Sequence, residues 1–342
     1  MTPPISLAYI VATNLEHPGL AIKFQGQLNG LSKHFKTQFV YFNYQNTDSL
    51  FIKLIHYIVF EFRVLLAFIF NHRIYFRYDP KAILTNIYCM FFSLFKPVYI
   101  EHNGIFDFSL KTLNRHSEKK LHHFIFFFYR YFSVTHIGVT KQIQAFLIEK
   151  GMKKTLYMQN GYEKSTEPES SSEAITAQLN HLKQGYKKIG IFVGNGYIWH
   201  GIDQIMSLFK DRTDCALVIV GKGYPSEQKK ENICFLGPLS PGELKGVFEY
   251  CDFGLGAFNF QMNGLTQTST LKTCEYLCYG LPVLVNIYDC ASEFDALRPF
   301  VFNYYEDPCF FESILSQNFD KEVIRKHASA CFNWETLFRC II

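Results

Sequence analysis

The sequence predicts an α/β protein of two doubly wound, Rossmann-like domains, and three observations carry that prediction. Strand-like runs alternate with helix-like runs along nearly the whole chain. The alternation breaks once, in the acidic, Ser-rich stretch EKSTEPESSSEA at 163–174. The length of 342 residues suits about two domains at roughly 150 residues each. Strands separated by long helices imply βαβ units and a parallel sheet.

In the first half, strands are expected at 5–11, 37–43, 73–78, 97–102, 136–140 and 155–159. Helices fill 20–34, 51–70, 82–95, 119–132 and 141–150. After the Ser-rich stretch, strands are expected at 188–193, 216–220, 233–236, 253–257, 282–286 and 301–304, and the chain ends in a helical run over 321–342. The expected domains are 1–162 and 176–330, joined by a linker at 163–175, with a final helix at 331–342 crossing back to the first domain. Ligands of such sheets bind beyond the carboxyl ends of the strands. Two such edges facing across a cleft would make a small-molecule site.

Composition narrows the function. A formal charge of +4 and pI near 8.4 are too weakly basic to argue for nucleic acid. None of the ten cysteines has CxxC spacing, so neither a zinc ribbon nor a redox pair is visible. Cys274 and Cys278 read as buried thiols on one helix face. The N-terminus has no basic region of the signal-peptide kind, and a cytoplasmic setting is expected. The apolar run 51–70 is broken by Lys53, His56, Glu61 and Arg63; it reads as a buried amphipathic helix rather than a membrane span.

The stretch NGLTQTSTLKTCEYLCYGLPVLV at 263–285 is the most informative. Thr268 or Ser269 is expected to cap a helix. Leu271, Cys274, Leu277 and Cys278 form its apolar face, and Gly280 with Pro282 stops it. The small, polar approach to this helix, including Thr270 and Leu271, offers backbone N–H groups to a diphosphate. Lys272 adds a cation, and Glu275, nearly a turn further on, suits the two hydroxyls of a ribose. A surface role for both charges remains the plain alternative. A second strand ends in Gly194-Asn195-Gly196, before Trp199-His200-Gly201, and a third turn is Gly221-Lys222-Gly223. Neither is a GxGxxG or a Walker A loop, and a tight turn explains each equally well. In the first half, Glu101, His102 and Asn103 fall at a strand end, and Asn160-Gly161 ends another strand.

These residues resemble the family-four group of retaining GT-B glycosyltransferases, which build bacterial polysaccharides, lipopolysaccharides and glycolipids. The likeness covers most of the chain. VGNGYIWHGID resembles the family's glycine loop, and ALVIVGKG its next strand and turn. ICFLGPLSPGELKGVFEYCDFGLGAF resembles the segment around the base. TLKTCEYLCYGLPVLV resembles the family's most specific signature, YMQNGYE the entry to the hinge, and FNWETL the helix that returns to the first domain. The resemblance implies that Glu275 holds the donor ribose and that His102 contacts the transferred sugar. It implies that Gly19 belongs to a loop near the donor phosphates. Gln267 stands where many members carry a glutamate facing the donor sugar. Asn195 and His200 stand where basic residues are common, which leaves Lys272 as the main cation for the diphosphate.

A departing nucleotide diphosphate gains negative charge, and a site that stabilises this charge lowers the barrier. Backbone N–H groups and Lys272 would do so without a metal, and the chain has no Asp-x-Asp. No protein nucleophile is evident. The expected partners are a nucleotide-sugar donor, a glycan or lipid-linked acceptor and no nucleic acid. KKLHHFIFFFYRYF at 119–132 would suit an anionic membrane surface on the inner face of the cell membrane, or a core helix with a basic edge. Other readings are a GT-B nucleotide-sugar epimerase, a nicotinamide oxidoreductase, disfavoured by the missing GxGxxG, and a non-catalytic nucleotide-sugar-binding subunit.

Overall fold

The computed structural model describes residues 5–13, 18–42, 49–106, 115–170, 172–224 and 231–342. The chain divides into two compact units, Met1–Gln159 with Trp334–Ile342, and Asn160–Asn333.

The first unit holds a parallel sheet of β1 (Ser6–Val11), β2 (Lys36–Tyr41), β3 (Arg73–Arg77), β4 (Val98–His102), β5 (Thr135–Gly138) and β6 (Lys154–Tyr157), in the order β2-β1-β3-β4-β5-β6. Among the described residues its helices are α1 (Pro18–Ser32), α2 (Leu50–Phe70), α3 (Ile83–Phe92), α4 (His116–Tyr129) and α5 (Lys141–Glu149), besides the C-terminal segment described below. β1 lies inside the sheet, between β2 and β3, and is fully apolar inward, with Leu7, Tyr9 and Val11 at 0% exposure. Parallel strands covered on both faces need such continuous apolar runs. The strand order reverses direction after β2, so right-handed crossovers put α2, α3, α4 and α5 on one face and α1 on the other. Contacts agree: Phe68 meets Tyr88 across α2 and α3 at 5.9 Å. The Tyr129 hydroxyl of α4 donates to Asn86 Oδ1 of α3 at 2.7 Å.

The second unit repeats the plan with β7 (Lys188–Val193), β8 (Cys215–Val220), β9 (Ile233–Gly237), β10 (Phe253–Leu255), β12 (Val283–Val285) and β14 (Val301–Asn303), in the order β14-β12-β10-β7-β8-β9. Its helices are α6 (Glu173–Gly185), α7 (Ile202–Leu208), α8 (Pro241–Tyr250), α9 (Leu271–Cys278), α10 (Cys309–Ser316) and α11 (Lys321–Cys331). A short parallel pair, β11 (Gln267–Thr268) with β13 (Tyr288–Asp289), was not expected from the sequence, which reads 263–270 as loop. Two-residue strands carry no period for a pattern to reveal.

The change of unit comes at Gln159/Asn160, ahead of the Ser-rich stretch. That stretch lies on the second unit: the Gly242 N–H donates to Glu167 Oε2 at 3.1 Å, and the Ser170 N–H donates to the Gly242 carbonyl at 3.1 Å. The last segment, α12 (Trp334–Leu337) and the turn Phe338–Ile341, packs in the first unit. A Cβ on Gly30 of α1 would stand 2.6 Å from the Trp334 Cβ, so glycine lets the two helices touch.

Two expectations change. The run 51–70 is helical, as α2, but it is not buried. Its inward residues are Phe60, Glu61, Val64, Ala67 and Phe68, while Phe51, Ile58 and Phe62 are exposed. Apolar residues run round the whole helix, so one stripe fills the core and the opposite stripe stays outside. The cap of α9 is Thr270, whose side chain accepts the Thr273 N–H at 3.2 Å, rather than Thr268 or Ser269. Thr268 belongs to β11, and the Ser269 hydroxyl accepts the Asn160 N–H at 2.9 Å. Cys274 and Cys278 are buried thiols. Among the described residues, no helix is long and apolar enough to cross a membrane.

Candidate functional site

In the second unit, the site forms where β7, β8 and α9 converge. β7 and β8 end in glycine turns that press backbone on backbone. The Gly194 N–H donates to the Val220 carbonyl at 2.9 Å and the Gly196 N–H to the Lys222 carbonyl at 2.8 Å. Gly221 has φ +139°, and a Cβ there would lie 1.8 Å from the Gly194 carbonyl oxygen. A Cβ on Gly196 would lie 2.4 Å from the Gly223 oxygen. No side chain fits at Gly196 or Gly221.

Asn195 is used inside it: its Oδ1 accepts the Lys222 N–H at 3.2 Å. Its carbonyl accepts from His200 Nδ1, which therefore bears the ring proton. Burial and then the Lys272 charge push His200 down to about 3, so the ring is neutral and supplies no cation. Gly201, at φ +64°, turns the chain from His200 into α7. Lys222 is exposed.

α9 is drawn close to the sheet by Tyr276. Its ring lies where a Cβ on Gly254 of β10 would come within 2.3 Å, and its hydroxyl accepts the Val193 N–H at 2.8 Å. The start of α9 is clamped from the beginning of the unit: the Asn160 side-chain amide donates to the Ser269 carbonyl at 2.5 Å. The first-turn N–H groups of Leu271 and Lys272 have no intrahelical acceptor, as at any helix start, and they share the positive end of the helix dipole.

Lys272 folds over the Phe192 ring, with Nζ 4.3 Å from its centroid. The side chain as a whole is half-buried, yet Nζ is closed off and has no hydrogen-bond partner among the described residues. A Cβ on Gly194 would fall 3.1 Å from this nitrogen. Burial lowers the ammonium to about 7, against a pull upward from Glu275. Glu275 is raised to about 7 by burial, against the Tyr162 hydrogen bond and the Lys272 charge. Its Oε1 accepts from the Tyr162 hydroxyl at 2.7 Å. Gln267 is half-buried on β11. The buried Asp289 of β13, raised to about 7 by burial, accepts the Thr273 hydroxyl at 2.8 Å and so ties α9 to the small sheet.

The structure thus brings Asn195, His200, Lys222, Thr270, Leu271, Lys272 and Glu275 onto neighbouring strand and helix ends of one unit. Sequence reading missed Tyr162 and Asp289. Tyr162 stands in YMQNGYE and shows no charge or period of its own; Asp289 is an isolated acid.

Gly19 and His102 belong to the first unit. Gly19 is the exposed second residue of α1, and a Cβ there would meet nothing within 4 Å. Most of the loop before it, 14–17, lies outside the described residues. His102 is 1% exposed. Its Nε2 meets His136 Nδ1 at 2.9 Å, and its ring lies 4.8 Å from that of Tyr78. Burial, with His136 and His122 nearby, holds it well below the ordinary histidine range. A sugar reaches this ring only if its cover opens. Beside it, Glu101 is closed into a buried network: Lys23 Nζ donates to it at 2.7 Å and the Tyr75 hydroxyl at 2.5 Å. Burial would raise this carboxyl, but Lys23 and the donors around it hold it down to about 2, which removes it as a base. A hollow of about 660 Å³ in this unit, lined by Tyr99, Thr135, Lys154 and Cys340 among others, lies at the amino ends of the strands, away from all these residues.

No family model matches the sequence, and no curated protein matches it. Solved structures do. Sucrose-phosphate synthase from Thermosynechococcus elongatus is 13% identical, with 98% of this chain and 97% of that one covered and a TM-score of 0.63. HepE of Anabaena, in complex with UDP, is 13% identical over 98% of both chains, with a TM-score of 0.60. The lipopolysaccharide outer core galactosyltransferase WaaB, in its apo form, is 10% identical over 98% of both chains, with a TM-score of 0.61. With two six-stranded parallel sheets of doubly wound order and this likeness along the whole chain, the protein has the GT-B fold of two Rossmann-like domains.

Proposed function

We propose that the protein is a glycosyltransferase that moves a sugar from a nucleotide-diphosphate sugar to a glycan or lipid-linked acceptor. The observation that carries this reading is Lys272. A buried ammonium without a hydrogen-bond partner among the described residues costs free energy unless something anionic meets it, and Lys272 belongs to the first turn of a helix, whose N–H groups lack intrahelical acceptors, the arrangement that binds phosphate. Glu275, nearly one turn on, takes the ribose hydroxyls. Thr270 and Leu271 shape the helix start, and Asn195, His200 and Lys222 shape the adjoining turns. Gln267 borders the sugar.

In this reading the sugar–oxygen bond breaks towards the diphosphate, and Lys272 with the helix start stabilises the charge that leaves. The family-four resemblance supports retention at the anomeric carbon, with no metal. His102 and Gly19 contribute from the first unit, His102 once its cover opens. UDP-glucose is the first donor to try and UDP the first ligand for binding, since HepE holds both. The run 119–132 is read as a contact to an anionic membrane surface.

The test is product analysis after incubation of purified protein with UDP-sugars, with and without glycan and glycolipid acceptors. Acceptor-dependent release of UDP, with a new glycoside, supports a transferase. Conversion of the donor to an epimer without acceptor marks the epimerase reading, and binding without turnover marks a binding subunit.

A further inference from the structure

The layer of α2, α3 and α4 turns a broad apolar surface outward. On α2, Phe51, Ile55, Ile58, Phe62 and Ile69 recur at helical spacing on the side away from the sheet, and each is 44–71% exposed. Beside it on α3, Ile83, Ile87 and Phe91 form a parallel exposed stripe, continued by Leu94 and Phe95. Phe124, Phe127 and Phe128 of α4 extend it. α2 alone, with 21 residues, is about 31 Å long, and its stripe runs the whole length. Exposed apolar surface of this extent marks an interaction face.

Charge identifies the occupant. Arg63 on α2, Lys120 and His123 on α4, and Arg130 after it are exposed around the stripes. The acids of these three helices do not offset them. Glu61 is buried and accepts the Thr85 hydroxyl at 2.9 Å. Glu118 is held between Lys81 at 3.2 Å and Arg115 at 3.5 Å. A second copy seated on this face would set one basic rim against another, a costly pairing. Lys53, Glu61 and Arg63 within α2 forbid a span, and no described helix qualifies as one.

We propose that α2 and α3 lie in the plane of an anionic bilayer, their outer stripes among the acyl chains and the basic residues of α4 at the lipid phosphates. An interfacial helix of this kind combines apolar burial with electrostatic attraction. The proposal goes beyond a basic contact at 119–132, and it uses neither donor nor reaction, so its failure leaves the transferase reading standing.

The experiment uses the full chain and phosphatidylcholine vesicles with and without about one third phosphatidylglycerol. Wild type should co-sediment with the anionic vesicles. Phe51→Ser/Ile58→Ser/Phe62→Ser should partition at least about tenfold more weakly, with an unchanged melting temperature, since all three side chains are exposed. Separately, the indole introduced by Phe62→Trp should be quenched by lipids brominated on the acyl chain. Triple-variant binding equal to wild type would overturn the proposal, and so would an introduced indole that stays unquenched on vesicle-bound protein. It would also fall if light scattering showed a dimer that the same three substitutions dissolve, with no vesicle binding.

Discussion

The Tyr162 hydroxyl donates to Glu275 Oε1 at 2.7 Å, linking the third residue of the second unit to the helix proposed to bind the donor. One carboxylate oxygen is thereby oriented, and in the proposed function the other meets the ribose. Tyr162 is a positioning residue, because it acts through Glu275. Tyr162→Phe is expected to raise the donor KM by about three- to tenfold with kcat little changed, the size of one ordinary lost hydrogen bond. Glu275→Ala should raise KM more, and Glu275→Gln less than Glu275→Ala, because the amide oxygen still accepts. The ribose changes little during transfer, so these are uniform-binding effects. Equal donor KM in all three variants would remove Glu275 from the site.

Lys272 should behave differently, because the diphosphate gains charge in the transition state. Lys272→Ala is expected to lower kcat by about tenfold to a hundredfold. A change in KM alone, with kcat intact, would contradict the assigned role.

The depressed ammonium of Lys272 also sets a pH dependence. With a folded value of about 7 and an unfolded value near 10.4, the unfolded chain binds the extra proton across that interval. Stability from this group is therefore full above about pH 10.4 and lost as pH falls towards about 7. Lys272→Met should raise Tm near pH 7, and the gain should shrink as pH climbs towards 10. A diphosphate favours the charged form, so UDP binding near pH 8 should take up a proton. Calorimetry in buffers of different ionisation enthalpy measures this, and a buffer-independent binding enthalpy would refute it.

Transfer should survive excess EDTA, since Lys272 and the helix start are proposed to do the work of a metal. Activity lost to EDTA and restored by Mg²⁺ or Mn²⁺ would count against the proposed chemistry.

Gly221→Ala should be destabilising by more than about 2 kcal/mol, as the methyl group has nowhere to go beside the Gly194 carbonyl. Gly19→Ala, with nothing within 4 Å, should leave Tm unchanged or slightly raised, since alanine suits a helix better than glycine. If Gly19 nears the donor phosphates, that stable variant should still lose donor kcat/KM. Thermal melts of the pair, followed by kinetics on Gly19→Ala, read both effects.

Much of this was legible in the sequence because it rests on period and punctuation. Central strands such as 188–193 read as unbroken apolar runs, and Gly280 before Pro282 ends α9 where φ reaches +82°. The lysine and glutamate of that helix were legible as a pair because they stand three positions apart. Contacts between distant segments left no such trace. Nothing local marks Tyr162 as the partner of Glu275, or Lys23 as the ion that neutralises Glu101. Nor does the sequence of α2 tell an outward apolar stripe from an inward one, since both faces carry the same residue types.

The segment Trp334–Ile342 has a consequence for biogenesis. Trp334 and Phe338 fill the core of the first unit with Tyr9 and Tyr75, and Arg73 Nη1 donates to the Ile341 carbonyl. A ribosome releases the strands of that unit first, but these closing side chains only after residues 160–333 have been made. The earlier-born unit must therefore wait, part-open, for the later one to be synthesised, whereas the later one is a single continuous stretch, Asn160–Asn333. Released chains truncated after Asn333 should accordingly show protease resistance in the second unit and sensitivity in the first.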